Sequence, residues 1–167
     1  MNGILGGASK DEPMHYGEIF SIWINSTAAK GLISLYRLFQ NHAGDDDLKS
    51  VLGDLINQAE LESSECDELL KEVGITPAPS LPDRPEVKLE DIPAGARYSD
   101  MEIAAKIGAD NAAGLVGCST IMGQSIREDI GALFAKYHAT KAAIGIKILH
   151  MNKKKGWLLA PPLHIHK

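Results

Sequence analysis

The middle of this chain, Gly74 to Tyr98 (GITPAPSLPDRPEVKLEDIPAGARY), carries Pro77, Pro79, Pro82, Pro85 and Pro93. Proline lacks the backbone N–H and pushes its predecessor out of the helical region, so this stretch cannot be helix. On each side lie two long stretches with helical apolar spacing, joined within each half by only a few residues. A helix of ~25–30 residues is ~40 Å long at 1.5 Å per residue. Twenty-five linking residues at ~3.3 Å each cover that length with slack, whereas a hairpin between helices needs only ~2–8. The proline-rich segment therefore reads as a crossover that carries the chain back along the molecule and sets the third helix parallel to the second. Short, long, short is the linking pattern of an all-α, ferritin-like four-helix bundle: two antiparallel pairs joined by a long crossover.

At 167 residues the chain suits a single domain with a real core. The predicted helices cover about 11–42, 47–73, 99–122 and 125–155, with the crossover at 74–98 and an apolar tail at 156–167. Asp11 is placed to cap helix 1 and Pro13 falls in its first turn. Its seam is His15, Ile19, Ile22, Ser26, Ala29, Ile33 and Tyr36, flanked by Ala28, Leu32, Leu35 and Phe39. Asp45, Asp46 and Asp47 set negative charge at the start of helix 2, whose seam runs through Leu48, Leu52, Leu55, Ala59, Glu62, Cys66, Leu69 and Val73. Ser99 and Glu102 form a capping box for helix 3; Ser125 and Glu128 form a second for helix 4. The helix 3 seam includes Ile103, Ile107, Asp110, Gly114, Gly117 and Ile121. Gly108, Gly114 and Gly117 read as points of close helix approach. Helix 4 has Ile126, Ile130, Leu133, Tyr137, Thr140, Ile144, Ile148 and Met151, and Lys153 to Lys155 suit the negative end of its dipole. The tail WLLAPPLHIHK is expected to pack back on the bundle or on a partner subunit.

Composition excludes some functions. A net charge of −5 argues against nucleic acid. No apolar run reaches the ~20 residues of a membrane span, and the N-terminus lacks the basic start and apolar core of a signal peptide. Cys66 and Cys118 stand far apart and outside any CxxC, so they read as buried thiols of a reducing compartment. There is no GxSxG and no phosphate-binding glycine loop, which points away from a nucleophilic enzyme.

The segments DEPMHYGEIFSIW, IMGQSIREDI, FAKYHATKAA and KKKGWLLAPPLHIHK resemble a family of proteins of unknown function from spore-forming bacteria. Its members are often given the provisional label of spore coat protein. The resemblance extends from Asp11 to His166. It implies a ferritin-like bundle, cytoplasmic synthesis, and a spore-associated structural role with other coat-type proteins or further copies as partners. It carries no reaction onto these residues.

A di-iron bundle needs a Glu from each of two helices and Glu-x-x-His from each of the others. No Glu-x-x-His occurs here. Counting turns with helices 1 and 4 opposed to helices 2 and 3 puts Glu62 level with Asn25, Asp110 and His138. Glu62-Ser-Ser-Glu65 and Ala135-Lys-Tyr-His138 stand where the two motifs would be. Three readings follow. Glu62, Asp110, Asn25, Tyr137 and His138 form a satisfied polar network that sets helix register. Alternatively, Glu62, Asp110 and His138, with Glu65 assisting, hold one divalent metal such as iron, manganese or zinc. Or the glycines of helix 3 open room for a small ligand. The first implies no cofactor. A second cluster, His15 and Glu18 with Arg127, Glu128 and Asp129, reads as capping and ion pairing, and His164 and His166 as solvated residues.

Overall fold

The computed structural model describes residues 12–164. Four helices are present: α1 (Tyr16–His42), α2 (Asp46–Glu72), α3 (Asp100–Gln124) and α4 (Glu128–Lys155). α1 pairs with α2 and α3 with α4; across the pairs α1 faces α3 and α2 faces α4. The direction of α3 is decided by contacts at one end. The Gly44 amide donates to Asp100 Oδ1 at 2.8 Å, and Lys154 Nζ reaches Asp47 at 3.0 Å. The end of α1 thus meets the start of α3, and the end of α4 meets the start of α2. Every neighbouring pair is antiparallel, with α3 parallel to α2, as in a ferritin-like bundle with one long crossover.

The crossover is fastened to the outer side of α1. Lys30 Nζ donates to the Ala78 carbonyl at 2.6 Å, and Arg37 pairs with Asp83. Asn41 donates to the Pro85 carbonyl at 3.1 Å and accepts from the Val87 amide at 3.3 Å. These anchors recur on α1 at spacings of seven and four, which is one helix face. Two short 3-10 turns, Leu89–Asp91 and Ala94–Ala96, end the crossover before Ser99 caps α3 with Glu102.

The helix starts differ from expectation in two places. α1 begins at Tyr16, where His15 and Glu18 form the capping box; Asp11 lies outside the described residues. α4 begins at Glu128, three residues after Ser125. The Ser125 hydroxyl instead donates back to the Ile121 carbonyl at 2.7 Å, closing α3. The expected Ser125–Glu128 box is therefore absent, and Ile126 is left exposed. Glu18 takes over the task from across the bundle: its Oε1 accepts the Ile126 and Arg127 amides at 2.8 and 3.0 Å. A buried carboxylate at the positive end of a neighbouring helix satisfies orphan donors as well as a local cap would. Arg127, itself buried, pairs with Asp129.

The core divides at mid-height. One apolar half gathers Tyr36, Phe39, Leu52, Ile107 and Ile148; the other gathers Ile22, Cys66, Leu70, Ile130, Phe134 and Tyr137. Leu70 is buried where Leu69 was expected, and Val73 is exposed. At the end of α4, Gly156 adopts φ +74°, which turns the chain so that Trp157 packs against the first half. Farther on, Leu159 and Leu163 are exposed, 73% and 75% accessible. Trp157 and the Leu158 amide, which donates to the Asn152 carbonyl at 3.2 Å, are held back against the bundle.

Candidate functional site: a polar layer beneath an apolar groove

Glu62 occupies the level between the two core halves and is 3% exposed. A carboxylate there is tolerated only if donors replace the water it has lost. They come from three helices. Gln58 Nε2 of α2 donates to Oε1 at 2.8 Å, Asn25 Nδ2 of α1 donates to Oε2 at 3.3 Å, and Lys141 Nζ of α4 pairs with Oε1. The Lys141 side chain is itself largely buried. Gly114 of α3 makes room for it: a Cβ there would meet Lys141 Cδ at 3.0 Å. So Gly114 is a point of close approach, as its sequence context predicts, while a Cβ at Gly117 would meet nothing within 4 Å. Gly117 opens onto space. Gly108 makes only ordinary contact with Ile148, and the tightest approach between two helices is at Gly145, where a Cβ would lie 2.8 Å from Asn111 Nδ2.

The four candidate ligands do not converge. Asp110 pairs with Lys106 on its own helix. Its Oδ2 is buried without a donor in hydrogen-bonding geometry, although the Tyr36 hydroxyl lies close enough to feel the charge: burial first, then Asp110, pushes that phenol above its usual pKa. Glu65 lies on another face, where it accepts from Lys136 Nζ at 2.7 Å and the Tyr137 hydroxyl at 2.7 Å. Burial raises its carboxyl pKa, but these bonds outweigh it and leave Glu65 below the ordinary range. Burial likewise drives the Tyr137 phenol far above its usual value. His138 is half-buried on α4. Among the described residues, no group of three or more His, Cys, Asp or Glu is placed to hold a metal ion. The single network expected at this level is three: Glu62 with Asn25, Gln58 and Lys141; Glu65 with Lys136 and Tyr137; Asp110 with Lys106.

Lys141 is the residue that sequence reasoning missed. The α4 seam was traced through Tyr137, Thr140 and Ile144; an equally regular trace is Tyr137, Lys141, Ile144. A lysine in an apolar seam four residues past Tyr137 was the available signal. Lys30 and Asp67 form a similar buried link between α1 and α2 at 2.6 Å, with Ser26 joined to Asp67. The two thiols are free and buried. Burial pushes Cys66 up to about 12 and Cys118 up to about 11, so both are protonated and inert at neutral pH.

Above Glu62 and Lys141 lies a half-open groove of about 650 Å³ between α1 and α3. Phe20, Ile24 and Leu32 line one wall; Ala113, Gly117 and Ile121 line the other. α1 and α3 touch less closely than the sequential pairs do, and small residues on the facing walls, Ala28, Ala113 and Gly117, leave the gap between them unfilled. Glu62 and Asp110 both reach this groove, whereas Glu65 and His138 do not. It is the room that the third sequence reading requires.

A family of proteins of unknown function, DUF3231, matches residues 2–167. This chain belongs to that family. It is 48% identical over 165 residues to the uncharacterized protein YvdQ of Bacillus subtilis strain 168, covering 99% of this chain and 97% of that protein. It is also similar to a "putative spore coat protein" of Bacillus halodurans C-125, whose crystal structure superposes with a TM-score of 0.93. The identity there is 49%, covering 95% of this chain and 99% of that one. This chain has the ferritin-like bundle without a Glu-x-x-His motif, and the Lys141 ammonium is paired with Glu62 at mid-bundle.

Proposed function

We propose that this chain is a non-enzymatic, spore-associated bundle that acts structurally, by association with copies of itself or with other coat-type proteins. The geometry that carries this reading is the Lys141–Glu62 pair. It neutralises the mid-bundle carboxylate with an internal cation. The likeness to the Bacillus halodurans spore coat protein supports the location. Absence of a helix long and apolar enough to cross a membrane, among the described residues, is compatible with it. The test is immunodetection in spores purified from the sporulating host. Recovery in the detergent-extractable coat fraction supports the proposal. Recovery only from the mother-cell lysate overturns it.

The alternative is a divalent metal, iron, manganese or zinc, held by Glu62, Glu65, Asp110 and His138. Two of these carboxylates, Glu62 and Asp110, do line one groove. Binding there requires Lys141 to leave Glu62, and the other two residues to turn inward from separate faces. Metal analysis of untagged protein purified without chelator decides it: a stoichiometric metal lost in Glu62→Ala would replace the structural reading, and a metal-free protein unaffected by chelator would remove the alternative.

A further inference from the structure

The α1–α3 groove and the tail segment 158–163 are two apolar features, both open to solvent among the described residues, whose dimensions and charge match. From Phe20 to Leu35 the groove follows α1 for ~22 Å at 1.5 Å per residue. Its charged groups already have partners: Lys141 is paired with Glu62, and Asp110 with Lys106. The groove is therefore electrically balanced and suits an uncharged occupant. An uncharged, extended segment of about 20 Å matches it in length and charge.

The tail supplies one. Leu158-Leu159-Ala160-Pro161-Pro162-Leu163 carries no charge and no regular secondary structure. In the polyproline II conformation favoured by its two prolines, six residues span ~19 Å. That form is pre-organised, so little conformational entropy is lost on docking. Two of its three leucines, Leu159 at 73% and Leu163 at 75%, are the most exposed large aliphatic side chains described.

The tail cannot reach along its own groove. It starts at the end of the bundle where α1 ends and α3 begins, and the groove's nearest lining residue, Leu35, is seven residues from His42, or ~10 Å, farther along. Trp157 is held against the core at the starting point. About half of the ~19 Å tail would be consumed before the groove is entered.

We propose that the tail segment 158–163 of one copy docks in the α1–α3 groove of a second copy. This deepens the structural reading above, on which it rests for its biological setting, by naming the two surfaces that associate. The exposed leucines fill the space over Gly117, and the prolines present no amide that must be satisfied in an apolar channel.

Two variants test it by sedimentation velocity. Deletion of residues 158–167 removes the tail and keeps the groove. Gly117→Trp fills the groove, where a Cβ meets nothing within 4 Å, and keeps the tail. Far-ultraviolet circular dichroism and thermal melts establish that each is folded. A third variant, L159D/L163D, blocks the tail without touching the bundle. The full chain is expected to associate at ~50 µM, as small interfaces do, and each variant to be monomeric. Mixing the deletion variant with Gly117→Trp is expected to restore a complex, because each supplies what the other lacks; a single chain carrying both changes is not rescued by itself. A monomeric full chain, continued association of the deletion variant, or failure of the mixture to associate overturns the proposal. So does a co-purifying lipid whose loss abolishes association of all forms alike. A chain that reaches the spore coat as a monomer defeats this inference alone, whereas an associating chain absent from spores defeats only the reading above.

Discussion

Removal of the Lys141 ammonium, by Lys141→Met, tests whether the mid-bundle layer is a structural ion pair. Methionine keeps the length and apolar stem of lysine, so packing against Gly114 is preserved. What is lost is the cation beside Glu62, a carboxylate that is 3% exposed. Breaking one partner of a buried pair costs ~3–5 kcal/mol, because the remaining charge is left uncompensated. Here Gln58 and Asn25 still donate to Glu62, which puts the expected loss at the lower end, ~3 kcal/mol. That is a large share of a ~5–15 kcal/mol total, and for a domain of this size it lowers Tm by ~6–12 °C. The assay is urea unfolding followed at 222 nm, with the midpoint and slope fitted separately. The double variant E62Q/K141M removes both charges and keeps an acceptor for Asn25 or Gln58. It is expected to recover more than half the loss, since replacing a whole buried pair is close to neutral. A loss below ~1 kcal/mol for Lys141→Met would place the pair among solvated surface contacts. A double variant no better than the single one would show that the cost came from packing. Either result refutes the reasoning.

Three further outcomes follow from the same geometry. Glu18→Ala strips the acceptor from the amides of His15, Ile126 and Arg127, and thermal melts should show a loss of ~2–4 kcal/mol, with Glu18→Gln intermediate. Asn41→Ala removes both hydrogen bonds to the crossover; tryptic cleavage after Lys88 should accelerate several-fold while global stability falls by only ~1 kcal/mol. The third concerns pH. Because Glu65 is held below the ordinary carboxylate range, its contribution is present above its unfolded pKa of ~4.3 and is lost as pH falls through the lower folded value. Lys136→Ala should therefore cost under ~1 kcal/mol at pH 7, the pair being partly exposed, and the gap from the unmodified chain should shrink as pH falls below the unfolded value; a gap that is constant with pH contradicts the assignment.

The bundle and its connectivity were legible in the chain because they rest on properties that act locally or by length. Five prolines forbid helix between Gly74 and Tyr98 whatever surrounds them, and the span of that segment allows a crossover. The Ser99–Glu102 box is a four-residue motif and appears as read. The Ser125–Glu128 box failed because capping is a competition for donors, and Glu18, distant in sequence, won it. The family resemblance, drawn from four segments spread over nearly the whole chain, is matched by the extent of the family and by relatives near half identity.

The site was legible only in height. Counting 1.5 Å per residue placed Glu62 level with Asn25, and the two do meet. It could not say which side chains of that level face inward, since one residue turns the direction by ~100°. Glu65 and His138 went to other faces, and Lys141 entered in their place. The groove over Gly117 was still less accessible. A glycine in a helix marks either a close approach or an open space, and both occur here within three residues: Gly114 is crowded by Lys141 and Gly117 faces nothing. Amino-acid sequence by itself determined four helices, their order and the long return between them. Only the tertiary structure decided which polar groups meet, because that depends on the rotation of each helix about its axis, and this is set by the packing of all four at once.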